Sequence, residues 1–264
     1  MTATAPATAT GRIVWYENLS HDSKKARAFY SKLLGWGEMP TPGNNDYTMF
    51  TRDGVPLAGA FQMPAGDAMK DVPAHWLMYV GVADVDAAVK KATGLGAKAI
   101  VPPNDVPNMG RFSVLEDPQG ACFALWTPAP GQPAQGEPEP AKVGEFSWHE
   151  LGTDDLDKAL EFYGKMFGWE KRERHDMGEM GPYQLWSRPG TPWPLGGAFN
   201  RPKEMPVNAW ILYISVADIN AAVARVKQLG GQVLMGPMEV PGGDTIAQCV
   251  DTNGAVFAVH KTTK

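Results

Sequence analysis

Two short segments carry the residue types best suited to chemistry in this chain, Trp15-Tyr16-Glu17 and Trp148-His149-Glu150, 133 residues apart. Side chains alternate along a strand, so each glutamate shares a face with the tryptophan two residues before it. A carboxylate in an indole-lined hollow loses hydration, which raises its pKa and suits it to exchange a proton near neutrality. Glu17 and Glu150 are therefore the candidate catalytic residues, placed alike in both segments. The same alternation groups Trp126, Tyr79 and Tyr213 with Trp15 and Trp148 as an aromatic floor for a planar or apolar ligand. His75 and His260 fall on that face as further candidate ligand contacts, whereas His149 has the opposite parity and is expected in the core. A structural reading competes with this one: the glutamates bind backbone donors and the indoles fill the hollow.

Other chemistries find little in the sequence. There is no Walker loop, Gly-x-Gly-x-x-Gly fingerprint, Gly-x-Ser-x-Gly elbow or Cys-x-x-Cys pair. With 24 basic and 29 acidic residues the net charge is −5, so the chain lacks the cation surplus that binding to nucleic acid or anionic membrane requires. Cys122 and Cys249 sit in apolar stretches and make no disulfide framework, which fits a reducing compartment. Residues 1–11 resemble no signal peptide and read as a disordered tail, and the expected location is the cytoplasm.

The elements that must position the candidate residues come in repeats. Ala26, Phe29-Tyr30, Lys32 and Gly35-Trp36 recur as Ala159, Phe162-Tyr163, Lys165 and Gly168-Trp169, again 133 residues on. Trp76, Val82-Ala83-Asp84 and Asp117 recur 134 residues on as Trp210, Val216-Ala217-Asp218 and Asp251. The chain is a tandem duplication. Its first half opens with a strand over 13–19. Asp22 then caps a helix with Ala26, Phe29, Tyr30 and Leu33 on one face, stopped at Gly35. Strands are expected at 47–51, 57–62, 76–82, 112–116 and 121–126, with a second helix capped by Asp84 and closed at Gly96. The Pro- and Gly-rich stretch 128–144 reads as a linker between domains at 12–127 and 145–264. The fold class is α+β, four βαβββ units in two tandem domains.

These features resemble the vicinal oxygen chelate superfamily of glyoxalase I, bleomycin-resistance proteins, fosfomycin-resistance proteins and extradiol dioxygenases. Asp22…Phe29-Tyr30…Gly35-Trp36, its copy Asp155…Phe162-Tyr163…Gly168-Trp169, and the Asp-Pro-Gln-Gly turn at 117–120 carry the likeness. The resemblance implies that paired units curl into cups, with ligand on the concave face and helices on the convex face. It also implies metal-ligand positions, and these fall on Trp15, Leu77, Ala124 and about Ala60, and on Trp148, Ile211, Ala258 and about Ala198. None of these side chains supplies the donors a divalent metal needs. The expectation is thus no metal and no cofactor: a monomer or homodimer that sequesters, or transforms without metal, a partly apolar small molecule. Two alternatives stay open. One is a metal-dependent lyase or dioxygenase using Glu17 with His75, or Glu150 with His260; the other is a structural protein with filled cups.

Overall fold

A computed structural model describes residues 10–66, 69–132 and 140–263. Most of the expected tail and the centre of the expected linker lie outside the described residues. The first module runs β1 (Ile13–Ser20), α1 (Ser23–Leu34), β2 (Gly37–Thr41), β3 (Asn44–Arg52) and β4 (Val55–Gln62). The second runs β5 (His75–Gly81), α2 (Val85–Gly94), β6 (Lys98–Val106), β7 (Gly110–Glu116) and β8 (Cys122–Pro128). The third runs β9 (Phe146–Thr153), α3 (Leu156–Phe167), β10 (Glu170–Asp176), β11 (Pro182–Ser187) and β12 (Gly196–Asn200). The fourth runs β13 (Ala209–Ser215), α4 (Ile219–Gln228), β14 (Gln232–Glu239), β15 (Thr245–Val250) and β16 (Val256–Lys261). The four βαβββ units of the α+β fold are all present.

Each half contributes one eight-stranded mixed sheet, ordered β2-β3-β4-β1-β5-β8-β7-β6 and β10-β11-β12-β9-β13-β16-β15-β14. The helices begin where a carboxylate can accept the orphan backbone donors of a first turn. Asp22, Asp84, Asp155 and Asp218 each do so. Gly35 and Gly168 end α1 and α3 in the left-handed conformation, with φ of 72° and 75°.

The compact units interleave the two halves. One gathers the second module from Met78 with His149–Trp210, and the other gathers Trp15–Leu77 with Ile211 onward. Within the first unit, Tyr163 of α3 donates its hydroxyl to Asp117 Oδ2 at 3.0 Å and accepts Trp210 Nε1 at 3.0 Å. Its ring meets Phe123 edge-on and stacks on Trp169. The other unit repeats this with Tyr30, Asp251, Trp76 and Phe257. The turn after each aspartate also holds the helix start of the other half: Gln119 exchanges two hydrogen bonds with the Asp155 backbone, and Asn253 donates to the Asp22 carbonyl. Cys122 and Cys249 are free thiols, pushed by burial to about 11 and about 12.

Burial raises the carboxyl pKa of Asp117 and of Asp251, against the hydrogen bonds from the backbone and tyrosine that lower it. A folded pKa above the unfolded one adds stability below the unfolded value, and this is lost as pH rises through the folded value. The urea midpoint of the wild type is therefore expected to lose a contribution as pH rises above the ordinary carboxylate value of about 4. An Asp117→Asn, Asp251→Asn double variant, unable to ionise there, should lack that loss. Parallel pH profiles for the two proteins would refute the assignment.

Candidate functional site

Strand register decides which residues look away from the helices. In the unit built on Trp15–Leu77, Phe50 packs against Tyr30 on the helix side, and Thr48, Ala60 and Asn18 share its face through cross-strand pairing. Glu17, Gly59, Met49 and Tyr47 therefore share the opposite face. Trp15 Nε1 donates to the Tyr47 hydroxyl at 2.9 Å, and that hydroxyl is hydrogen-bonded to Glu17. Burial, and then the nearby Glu17 charge, hold the Tyr47 phenol well above its ordinary pKa. The phenol thus stays protonated and serves as a donor to the carboxylate.

The unit containing His149–Trp210 has the same arrangement. Trp186 and Gln184 face the helix side with Gly196 and Ala198, leaving Tyr183, Gly197 and Phe199 opposite, with Glu150 paired to Gly197. The Tyr183 hydroxyl donates to Glu150 Oε1 at 2.7 Å. Both glutamates are buried, at 8% and 7% exposure. Glycine has a specific task here: a methyl group on Gly59 would overlap the Tyr47 hydroxyl, and one on Gly197 the Tyr183 ring. A strand glycine that lets an aromatic ring lie across the neighbouring strand is a close-approach position.

The other candidates fall as follows. Tyr79 is buried beside Phe112, 6.4 Å between ring centroids, and half-buried Trp126 pairs with Phe112 across β7 and β8. Trp148 is half-buried. Tyr213 accepts a hydrogen bond from Gln248 at 3.1 Å and meets the His260 ring edge-on. His75 is half-buried and bonds the Pro73 carbonyl at 2.8 Å; burial lowers its pKa. His149 lies in the core, 2% exposed, bonded to the Leu195 carbonyl and pushed by burial to about 4.

Two corrections follow from the register. Ala60 and Ala198 face the helices, and Gly59 and Gly197 take the outward position assigned to them from sequence. Tyr47 and Tyr183, the glutamates' partners, were not singled out at all; the glycines at matching places in β4 and β12 were the available signal. Among the described residues no three His, Cys, Asp or Glu side chains converge. The resemblance-derived positions Trp15, Leu77, Ala124, Trp148, Ile211 and Ala258 carry indole or alkyl groups. This donor set does not fit a divalent cation at those positions.

Four βαβββ modules in two eight-stranded mixed sheets define the tandem glyoxalase-type class. Residues 145–259 match the family model for the glyoxalase/bleomycin resistance protein/dioxygenase superfamily, and residues 18–126 match a glyoxalase-like domain. CFP32 of Mycobacterium tuberculosis, whose name marks it as a candidate glyoxylase, is 33% identical over 94% of this chain and 93% of its own. The anthracycline biosynthesis protein DauV of Streptomyces sp. (strain C5) is 32% identical over 95% of this chain and 93% of its own. A shorter glyoxylase-like protein of Didymella fabae aligns with 34% of this chain and 72% of its own, at 28% identity. Among solved structures, the Mn(II)-bound glyoxalase from Novosphingobium aromaticivorans superposes with a TM-score of 0.64 at 16% identity, over 98% of this chain and 83% of that one. The chain belongs to the glyoxalase/bleomycin resistance protein/dioxygenase superfamily.

Proposed function

We propose that this protein binds a planar, partly apolar phenolic molecule on the helix-free faces of its sheets. The Glu17–Tyr47 and Glu150–Tyr183 pairs anchor its hydroxyl groups and exchange protons with them. The observation that carries this reading is the duplicated glutamate–tyrosine pair over a glycine. An ionised carboxylate accepts several hydrogen bonds at once, a ligand hydroxyl's among them, and the tyrosine holds it in one orientation. Aromatic side chains nearby suit stacking on a flat ligand. The anthracycline name of DauV favours a polycyclic aromatic ligand.

The test uses chelator-treated protein and a hydroxyanthraquinone, read by thermal shift and calorimetric titration. A ligand that binds the native state alone raises the melting temperature. Tyr183→Phe and Glu150→Gln should each weaken binding at that site by about tenfold or more, the cost of one hydrogen bond to a charged group. Tyr47→Phe and Glu17→Gln should do the same at the other. Undiminished affinity in all four variants would sink the proposal. The glyoxylase name of CFP32 favours a metal-dependent lyase as the second reading. Stoichiometric Mn(II) binding that switches on lyase activity toward a 2-oxoaldehyde thiol adduct would establish it instead.

A further inference from the structure

The unit that ends the chain holds a hydrogen-bonded serine, histidine and aspartate separate from both glutamate–tyrosine pairs. Ser147 Oγ lies 3.0 Å from His260 Nδ1, and His260 Nε2 lies 3.0 Å from Asp244 Oδ2. Asp244 Oδ1 is fixed by the Thr263 backbone N–H at 2.9 Å and the Thr263 hydroxyl at 3.1 Å. That leaves Oδ2 turned to the imidazole. The carboxyl of Asp244 is held below its usual pKa: burial would raise it, but the hydrogen bonds from Thr263 and His260 prevail. An anionic Asp244 accepts the Nε2 proton and leaves Nδ1 to accept from the serine hydroxyl at 3.0 Å, the nearer of that hydroxyl's two acceptors, the other being the Tyr213 carbonyl at 3.5 Å. His260 is 8% exposed, while Ser147 and Asp244 keep partial access to solvent.

The duplication supplies an internal control. At the equivalent positions of the first half stand Val14 for Ser147, Gly110 for Asp244, Trp126 for His260 and Ala129 for Thr263. The same strands form there without any of the four polar groups. The fold does not require the array, so its complete set of partners needs another explanation.

We propose that Ser147 is an activated nucleophile toward small acyl esters, with His260 as its base and Asp244 as the group that orients the imidazole. In the forward step the Ser147 Oγ–carbonyl carbon bond forms while His260 Nδ1 takes the hydroxyl proton. The ester C–O bond then breaks, and the departing alkoxide receives that proton. Water, the second substrate, gives a proton to Nδ1, attacks the acyl-serine and releases the acid. No nucleophile-elbow motif marks this serine, since it sits on a strand.

The test incubates the full chain with a fluorophosphonate probe and follows the adduct by intact mass and peptide mapping. Phosphonylation forms the Oγ–P bond and expels fluoride, with the proton again passing to Nδ1. The expected result is a single adduct on Ser147. His260→Ala and Asp244→Asn should slow labelling by roughly 100-fold or more, the usual share of a positioned base. Ser147→Val and His260→Trp, which install the residues of the first half, should remain folded by circular dichroism and lose labelling. No adduct on the wild type, an adduct on another residue, or equal labelling of Ser147→Val would overturn the proposal.

Discussion

Replacing Tyr163 by alanine is expected to remove about 3–5 kcal/mol of stability for the lost ring alone. The ring is fully buried among Phe123, Phe162, Phe167, Trp169 and Trp210, with no solvent boundary to collapse into. Its hydroxyl is the junction between Trp210 Nε1 and Asp117 Oδ2. Truncation therefore leaves a buried donor and a buried acceptor unpaired, for about 1–3 kcal/mol each. Domains of this size hold only about 5–15 kcal/mol in total, so this variant should be at or beyond the edge of folding at room temperature. Tyr163→Phe separates the two contributions, because it keeps the ring and loses the junction. Urea unfolding followed by tryptophan fluorescence measures both. A Tyr163→Ala midpoint corresponding to less than about 1 kcal/mol of loss would contradict the packing described, since buried aromatic deletions cost several times more.

The second large effect concerns chain connectivity. A fragment spanning 138–264 is expected not to persist as a folded monomer. Its α3 module has its core partner in the second module, and its α4 module in the first. Alone, it would expose Phe162, Tyr163, Phe167 and Trp169 from one core and Phe257 from the other, and an apolar surface of that kind drives association. Sedimentation should show a dimer or larger species, or an unfolded chain. Mixing with the complementary fragment 1–137 should restore one heterodimer with cooperative melting. A monomeric 138–264 fragment with its own sharp thermal transition would refute the interleaved cores.

Modules and helix boundaries were legible in the sequence because their signals are local. The capping aspartates at 22, 84, 155 and 218 and the stops at Gly35 and Gly168 all sit where the residue types place them. The sheet edges were not. β2 reads Gly-Glu-Met-Pro-Thr and β10 reads Glu-Lys-Arg-Glu-Arg-His-Asp, both largely exposed. With both faces largely exposed, such strands carry no apolar alternation to read. The interleaving was equally hidden, because a repeat records which modules are alike and nothing about which module each one packs against.

The site divides the same way. Parity placed Glu17 and Glu150 with their tryptophans and sent His149 to the core, as the structure shows. Their tyrosine partners come from strands that β1 and β9 do not adjoin, so only register could join them. Sequence placed that register only to within one residue of Ala60 and Ala198, and pairing sets it at Gly59 and Gly197. Ser147, His260 and Asp244 are far apart in the sequence and follow no spacing rule, which is why a motif search passes over them.

The exchange of modules between halves has a consequence for ancestry. Two copies of a half-length polypeptide, trading modules, would build the same pair of cores, and joining them end to end would make assembly independent of concentration. Fusion also breaks the symmetry obligation. In a homodimer every substitution strikes twice, whereas here Val14 and Ser147, or Trp126 and His260, were free to part company. One gene then carries an apolar residue at a position whose copy has become polar.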